Sequence, residues 1–187
     1  MPLLIVEGPR KSGKSYLIAK QDKLPVFKFN FNGNFTHWDF DKHGTDIHWF
    51  GLGKEIMLHE LDLGGYLPEL LIDRGILTNT VWAVFQKRLS IEQAKEDLIK
   101  FHKRGLFKNT KILLIDGEFL EERKKDIWDE DDTRRTEEYD LFQLFSSLLR
   151  DLGVSVDVFH NNFDSESVTR FNDVISKNTI KIETTII

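Results

Sequence analysis

Residues 3–20 read LLIVEGPRKSGKSYLIAK, and this stretch decides the fold. An apolar run from Leu3 to Val6 has the length of a strand, and a short helical pattern covers residues 14–20. The loop between them, residues 8–15, matches the pattern G-x-x-x-x-G-K-[S/T] in the strand-loop-helix setting that this pattern requires. The sequence therefore predicts a phosphate-binding loop at the amino terminus of a helix.

Each part of this loop has a role in holding the phosphates of a nucleoside triphosphate. The glycines let backbone N–H groups turn inward, the Lys14 ammonium reaches the β- and γ-phosphate oxygens, and the Ser15 hydroxyl can ligate Mg²⁺. The alternative is a turn that only links a strand to a helix. We expect the phosphate contacts to come from Gly8, Pro9, Arg10, Lys11, Ser12, Gly13, Lys14, Ser15 and Tyr16.

Outside the loop, apolar runs of strand length alternate with helical patterns. The strand-like runs lie at residues 3–6, 26–31, 70–72, 112–115 and 154–159. The helical patterns lie at residues 14–20, 47–62, 78–104, 133–152 and 165–176. This alternation predicts an α/β fold, the three-layer P-loop NTPase architecture with a mostly five-stranded parallel sheet between helices. No linker or repeat divides the chain, so we expect one domain over residues 1–187.

Composition narrows the classes of protein that this chain can belong to. The 187 residues include no cysteine, which excludes disulfides and thiolate catalysis, and no apolar run approaches the ~20 residues of a membrane span. We therefore expect a cytoplasmic protein. The net charge of −5 opposes nonspecific binding of nucleic acid. Residues 117–140 hold eleven acidic and five basic side chains, a net −6, which leaves the remainder at +1.

A second candidate site follows another buried strand. Residues 70–75 read LLIDRG, so Asp73 and Arg74 are expected at the carboxyl edge of the sheet, where ligands of such folds bind. Asp73 can hold a Mg²⁺ shell or accept a hydrogen bond from an attacking oxygen, and Arg74 can pair with an acceptor phosphate. Asp116 follows a similar apolar run and competes with Asp73 for the metal role. Either aspartate can instead simply cap the loop or helix after it.

Together these motifs resemble those of the thymidylate kinase and deoxynucleoside kinase family of P-loop kinases. In that family the loop E-G-x-x-x-x-G-K-[S/T] is followed by D-R-Y-x-x-S, or by E-R-S-x-x-S in nucleoside kinases, and residues 73–78 here read DRGILT. The resemblance implies ATP- and Mg²⁺-dependent phosphoryl transfer to a nucleoside monophosphate, since aspartate at position 73 is typical of mononucleotide kinases. It makes Lys14, Lys11, Asp73 and Arg74 the catalytic candidates, with Ser15 and Asp73 at the metal.

The same resemblance predicts an acceptor site. Thr78 matches the serine of the family motif, and Arg74 matches its phosphate-holding arginine, whereas Gly75 replaces an aromatic residue. Phe50 and Lys54 resemble the family's F-x-x-x-R, which stacks on and reads the acceptor base, with lysine in place of arginine. A core aromatic and a solvated helix charge are the alternative interpretations of Phe50 and Lys54.

The family also closes a basic lid over the phosphates. Its arginine-rich segment resembles residues 118–138, in which Arg123, Arg134 and Arg135 are the candidate lid cations. An exposed charged helix is the alternative for this segment. Arg10 stands where some thymidylate kinases have an acid, and the Lys11 beside it could place charge on the transferring phosphoryl group. Solvated loop charges are the alternative for both residues.

Three other functions remain open from the sequence. A deoxynucleoside kinase would share the loop and the sheet. A polynucleotide 5′-kinase usually has D-x-x-R after its second strand, which residues 39–42, DFDK, only approximate. A regulatory module would bind nucleotide without transferring phosphate, as the departures at Arg10 and Gly75 suggest. The sequence is also compatible with a homodimer.

Overall fold

A computed structural model of the chain describes residues 3–28, 52–54, 56–62, 64–66, 69–117 and 132–178, with side chains from residue 136 in the last range. The strands in this part are β1 (Leu3–Glu7), β2 (Val26–Lys28), β3 (Leu71–Asp73), β4 (Thr110–Gly117) and β5 (Ser155–Asn161). The helices are α1 (Lys14–Lys20), α2 (Ile76–Phe85), α3 (Ile91–Lys103), α4 (Asp132–Asp151) and α5 (Ser165–Asn178). Residues 52–54 and 56–62 are also helical.

The five strands form one parallel sheet in the order β2-β3-β1-β4-β5. The central strand β1 is buried along its whole length, which is why its sequence is an uninterrupted apolar run up to Glu7. In the register of the sheet, Val6 pairs with Asp73 of β3 and Glu7 pairs with Leu114 of β4. The carboxyl ends of β1, β3 and β4 therefore lie side by side at one end of the sheet, where the glycine-rich loop follows β1.

Helices cover both faces of the sheet, and the alternation of side chains along β4 shows how the two cores form. Ile112 and Leu114 pack with residues of α2 and α4, such as Phe142 and Phe145. Leu113 and Ile115 face the other side and pack with residues of α1 and α5, such as Leu17, Ile18, Phe171 and Ile175. The predicted three-layer α/β fold is confirmed.

The predicted helical pattern over residues 78–104 proves to be two helices, α2 and α3. The chain leaves α2 through Lys87, whose φ of 58° is in the left-handed region. It re-enters a helix at Ser90, where the Ser90 side chain accepts from the Gln93 N–H and the Gln93 side chain accepts from the Ser90 N–H. This capping box satisfies N–H groups that a helix start leaves unpaired, so it stabilises a new helix at this point.

The other elements agree with the sequence except at their limits. Helix α4 spans residues 132–151 against the predicted 133–152, and β2 is Val26–Lys28. Residues 29–31 of the predicted strand 26–31 and residues 47–51 of the predicted helix 47–62 lie outside the described residues. In β5 exposed and buried residues are interspersed, because β5 lies at an edge of the sheet. Within the described ranges, none of the helices has the length and apolar character needed to cross a membrane.

Candidate functional site

The glycine-rich loop takes its shape from three residues with positive φ. Gly8 has a φ of 137°, Lys11 of 62° and Gly13 of 84°. A Cβ atom on Gly8 would overlap the carbonyl oxygen of Ile115 in the neighbouring strand β4. The glycine at position 8 is therefore required both by the backbone angle and by the close approach of the two chains. Gly13 is the residue that precedes α1, so the loop ends at the helix amino terminus as predicted.

The side chain of Lys14 lies inside this loop. Its ammonium donates to the carbonyl oxygens of Gly8 and Pro9, both at 2.5 Å, and to the hydroxyl of Ser12 at 3.2 Å. Burial lowers the pKa of Lys14 to about 7, and the positive charge of Arg74 acts in the same direction. In the absence of a phosphate, this lysine is thus close to losing its proton at neutral pH.

Residues at the ends of β4 and β5, or just after them, contact the glycine-rich loop. The Asn161 side chain donates to the carbonyl oxygen of Ser12 at 2.9 Å and accepts from the Phe163 N–H at 3.0 Å. The Phe163 ring lies so close to Gly13 and Gly117 that a Cβ on either would come within about 3 Å of it, at 2.7 Å and 3.0 Å. The predicted loop is therefore fixed by two strands distant from it in sequence.

Glu7, the last residue of β1, is a buried carboxylate that the sequence did not mark as a site residue. One oxygen accepts from the N–H groups of Gly75, Leu77 and Thr78 at 2.9, 3.1 and 3.3 Å, and the other accepts from the Thr78 hydroxyl. Burial raises the pKa of Glu7, while these hydrogen bonds lower it. Glu7 thus caps the amino terminus of α2, a role that an acid at the end of a buried strand could have suggested.

Asp73 ends β3 beside the loop, and its side chain is buried. One carboxylate oxygen lies 3.9 Å from the Lys28 ammonium, and the other is buried with no hydrogen-bond partner in the part of the chain that the structure describes. The next residue, Arg74, has a φ of 72°, donates its N–H to the carbonyl of Val6 at 3.0 Å, and has an exposed side chain. The buried carboxylate and the cation therefore lie side by side at the sheet edge.

Asp116 is the next-to-last residue of β4, on the other side of β1, and its carboxylate is in contact with other side chains. The same oxygen accepts from the Tyr139 hydroxyl at 3.4 Å and lies 3.3 Å from Nδ1 of His160. The carboxylate of Asp73 and the hydroxyl of the exposed residue Ser15 supply oxygen ligands of the kind that Mg²⁺ prefers. The donor chemistry of Asp73 and Ser15 fits a magnesium ion, whereas one carboxylate oxygen of Asp116 is already in contact with Tyr139 and His160.

Arg10 makes contacts that the sequence did not anticipate. Its Nε lies 2.8 Å from one carboxylate oxygen of Glu138 in α4, and its backbone N–H donates to the other at 3.0 Å. Its guanidinium carbon lies 4.9 Å from the ring centre of Trp82 and 5.5 Å from that of Phe85. The structure thus directs Arg10 toward α2 and α4. Lys11 is partly buried, and Tyr16 is 44% exposed on α1.

The structure does not cover all of the residues expected at the acceptor site and in the lid. Phe50 and Arg123 lie outside the described ranges, and so do residues 118–131 of the expected lid. Arg134 and Arg135 are in α4, but their side chains are not described. Lys54 is partly buried in the helical residues 52–54, and the Thr78 hydroxyl is used by Glu7. The structure adds Glu7, Glu138, Asn161 and Phe163 to the surroundings of the loop.

No family model and no curated protein sequence matches this chain. Among solved structures, deoxyadenosine kinase from M. mycoides with bound dATP aligns with a TM-score of 0.59 and 14% identity over 94% of this chain and 97% of that chain. Thymidylate kinase from Candida albicans has a TM-score of 0.59 and 15% identity over 95% and 92%. The YorR protein from Bacillus subtilis, in complex with phosphorylated GDP, has a TM-score of 0.54 and 16% identity over 94% and 95%. The resemblance drawn from the motifs is therefore confirmed for the fold.

Proposed function

We propose that this chain is a P-loop kinase that transfers the γ-phosphoryl group of ATP to a nucleoside monophosphate in the presence of Mg²⁺. The observation that carries the proposal is the pairing of a complete phosphate loop with the buried Asp73. One oxygen of Asp73 has no hydrogen-bond partner among the described residues, and Asp73 lies at the end of the strand beside β1. These are the groups that phosphoryl transfer needs, namely a phosphate cradle and a carboxylate for the metal or the attacking oxygen.

On the donor side, the loop exchanges internal contacts for contacts with ATP. Lys14 now bonds to the carbonyl oxygens of Gly8 and Pro9, and it would turn from them to the β- and γ-phosphates. The phosphate charge would hold the lysine in its protonated form, against the burial that lowers its pKa in the free protein. The N–H groups at the start of α1 add a positive end of a helix to the same site.

Ser15 and Asp73 are the residues that would hold Mg²⁺. When bound, the ion neutralises charge on the phosphate oxygens of the donor. Asp73 would act on the metal in this reaction, because the attacking oxygen of an acceptor phosphate is ionised at neutral pH and has no proton to donate. A carboxylate that accepts a hydrogen bond from an attacking hydroxyl is instead the role expected with a nucleoside acceptor. Lys11 and the lid residues Arg134 and Arg135 would neutralise the group in transfer.

Asp73 and Arg74 are together the reason for proposing a monophosphate acceptor, since aspartate rather than glutamate at position 73 is typical of mononucleotide kinases. The exposed guanidinium of Arg74 immediately follows the buried carboxylate, where an acceptor must approach to be phosphorylated. An anionic acceptor phosphate would give this cation a strong, bidentate partner, whereas a nucleoside would leave it without one. Thr78, Lys54 and Phe50 would complete the acceptor site.

A deoxynucleoside kinase is the second candidate. The observation in its favour is that a deoxyadenosine kinase and a thymidylate kinase share the fold with equal TM-scores of 0.59. Fold alone therefore does not choose the acceptor. Both family motifs have an arginine at the position of Arg74, so the choice depends on Asp73, which stands where nucleoside kinases have a glutamate. A polynucleotide 5′-kinase and a regulatory nucleotide-binding module are less well supported, since residues 39–42 only approximate the D-x-x-R of the first and the phosphate loop is complete.

Replacing Arg74 by methionine tests this assignment. We expect the KM for the preferred monophosphate to rise about tenfold to a hundredfold, the range for losing a hydrogen-bonded charge pair, while the KM for ATP stays within about twofold. Arg104→Met, at an exposed arginine after α3, is the matched control and should change neither value. An Arg74→Met enzyme that keeps its monophosphate KM would show that Arg74 does not bind the acceptor phosphate.

A further inference from the structure

We propose that Arg10 and Glu138 form a positioning pair that fixes the phosphate loop against the start of helix α4. The proposal rests on the proposed function, in which the loop binds ATP. It adds Glu138 to the residues of the site and gives the Arg10 side chain a role that acts through the loop rather than on the substrate. It concerns a contact between residues 128 positions apart in the sequence.

The geometry of the pair is that of a two-point clamp. Glu138 uses both carboxylate oxygens, one for the backbone N–H of Arg10 at 3.0 Å and one for the side-chain Nε at 2.8 Å. The backbone bond fixes the peptide plane of Arg10, and the next residue, Lys11, has the left-handed φ of 62°. A contact to the main chain of the loop constrains the path of the loop, which a contact between side chains alone would not do.

Both side chains of the pair are largely shielded from solvent, which makes their interaction stronger than that of a surface ion pair. The side chain of Glu138 is 3% exposed and that of Arg10 is 29% exposed. A carboxylate buried to this degree is costly unless it is paired and hydrogen-bonded, so Arg10 and Glu138 depend on each other. Arg10 is held in turn by Trp82 and Phe85 of α2, at 4.9 and 5.5 Å from the two ring centres.

Three parts of the site therefore meet at Arg10: the phosphate loop, α2 and α4. Helix α2 begins just after Asp73 and Arg74, and Glu7 holds its first turn. Helix α4 carries the lid candidates Arg134 and Arg135 one turn before Glu138. The Arg10–Glu138 contact therefore joins the phosphate loop to the amino-terminal half of α4.

The sign of one substitution separates positioning from simple electrostatics. Glu138 is a negative charge near the phosphate site, close enough to favour the protonated form of Lys14. If Glu138 acted only through its charge, Glu138→Gln would tighten ATP binding, because it removes a negative charge and releases Arg10 to bind phosphate. If Glu138 positions the loop, the same substitution weakens ATP binding.

The test measures the Kd for ATP by calorimetry and kcat for the preferred acceptor, in wild type, Glu138→Gln, Arg10→Met and the double variant. We expect each single variant to weaken ATP binding and lower kcat about tenfold to a hundredfold. The double variant should be no worse than the worse single variant, because both substitutions break the same contact. Asp157→Asn, which breaks the 2.8 Å Lys111–Asp157 pair elsewhere in the sheet, should leave both values unchanged.

Amide hydrogen exchange at Arg10 supplies a measurement that requires no catalysis. In the ligand-free protein the Arg10 amide should exchange about tenfold faster in Glu138→Gln than in wild type, since a neutral amide is the weaker acceptor. Wild-type or tighter ATP binding by a folded Glu138→Gln variant, or an unchanged exchange rate at Arg10, would overturn the pair. If wild type binds ATP but phosphorylates no acceptor, the proposed kinase function fails, while the Kd values and the exchange rate still decide the pair.

Discussion

Above neutral pH, ATP binding to this chain should be accompanied by uptake of a proton at Lys14. In the free protein the ammonium is buried among loop carbonyl oxygens, and its pKa is lowered to about 7. A bound triphosphate would surround the same group with negative charge, which favours the protonated form. The number of protons taken up for each ATP bound should therefore change with pH.

The magnitude follows from the pKa of about 7 in the free protein. At pH 8 about a tenth of the Lys14 side chains carry a proton, whereas in the complex the pKa should return toward the ordinary value of about 10.4. The uptake at pH 8 is then about 0.9 proton for each ATP bound, and at pH 6 it is about 0.1.

Calorimetric titration with Mg-ATP in buffers of different ionisation enthalpy measures this number directly. At pH 8 the terminal phosphate, with a pKa of about 6, is already ionised and adds little to the signal. Lys20→Met, at the exposed end of α1, is a control that should keep the uptake. A binding enthalpy at pH 8 that is independent of the buffer would refute the account of Lys14.

The same lysine should make the stability of the free protein depend on pH. Since the pKa is lower in the folded chain than in the unfolded chain, the unfolded chain binds more protons between about pH 7 and 10.4. The contribution of Lys14 to the free energy of unfolding therefore rises with pH across this window, by at most about 1.4 kcal/mol per pH unit. Lys14→Leu should remove this rise in urea denaturation series, and an identical slope in both proteins would contradict it.

Two substitutions test how the loop and α2 are held. In urea denaturation, Gly13→Ala should destabilise the protein by about 1–3 kcal/mol more than Gly153→Ala. Both glycines have a φ of 84°, but of the two only Gly13 has other atoms where a Cβ would lie. Equal losses of stability would mean that the backbone angle alone sets the cost. Glu7→Gln should lower the free energy of unfolding by about 1–3 kcal/mol, because it weakens the hydrogen bonds to the first turn of α2, including that of Thr78. The control Glu92→Gln, at an exposed residue of α3, should change it by no more than about 0.5 kcal/mol. A Glu7→Gln variant as stable as wild type would show that this cap contributes little.

Most of the fold could be predicted because its signals are local. The apolar run of β1, the loop after it and the start of α1 are contiguous, so Gly8, Gly13 and Lys14 could be placed from sequence alone. The alternation of strands and helices then sets a parallel sheet. The break between α2 and α3 was missed because the helical pattern continues through it, and the Ser90–Gln93 capping box lies within that pattern.

The contacts around the loop could not be predicted, because they join residues that are distant in sequence. The spacing of the motif identifies Arg10 as a loop cation, but only the packing of α4 brings Glu138 to it. The hydrogen bond from the Asn161 side chain to the Ser12 carbonyl oxygen likewise depends on packing between distant parts of the chain. Asp73 could be nominated from its position at the end of an apolar run. That one of its oxygens has no partner among the described residues, and that the Asp116 carboxylate contacts Tyr139, appear only in three dimensions.

The central claim is phosphoryl transfer to a mononucleotide, and a panel of acceptors tests it most directly. Wild type, Asp73→Asn and Lys14→Ala would be incubated with Mg-ATP and, separately, with nucleosides, nucleoside monophosphates and a 5′-hydroxyl oligonucleotide, and the phosphorylated product would be quantified. We predict turnover with at least one monophosphate, in preference to its nucleoside and to the oligonucleotide. Turnover should fall by at least about a hundredfold in both variants while their melting curves remain cooperative. Wild-type binding of Mg-ATP without phosphorylation of any acceptor, or a Lys14→Ala variant with full turnover, would contradict the account.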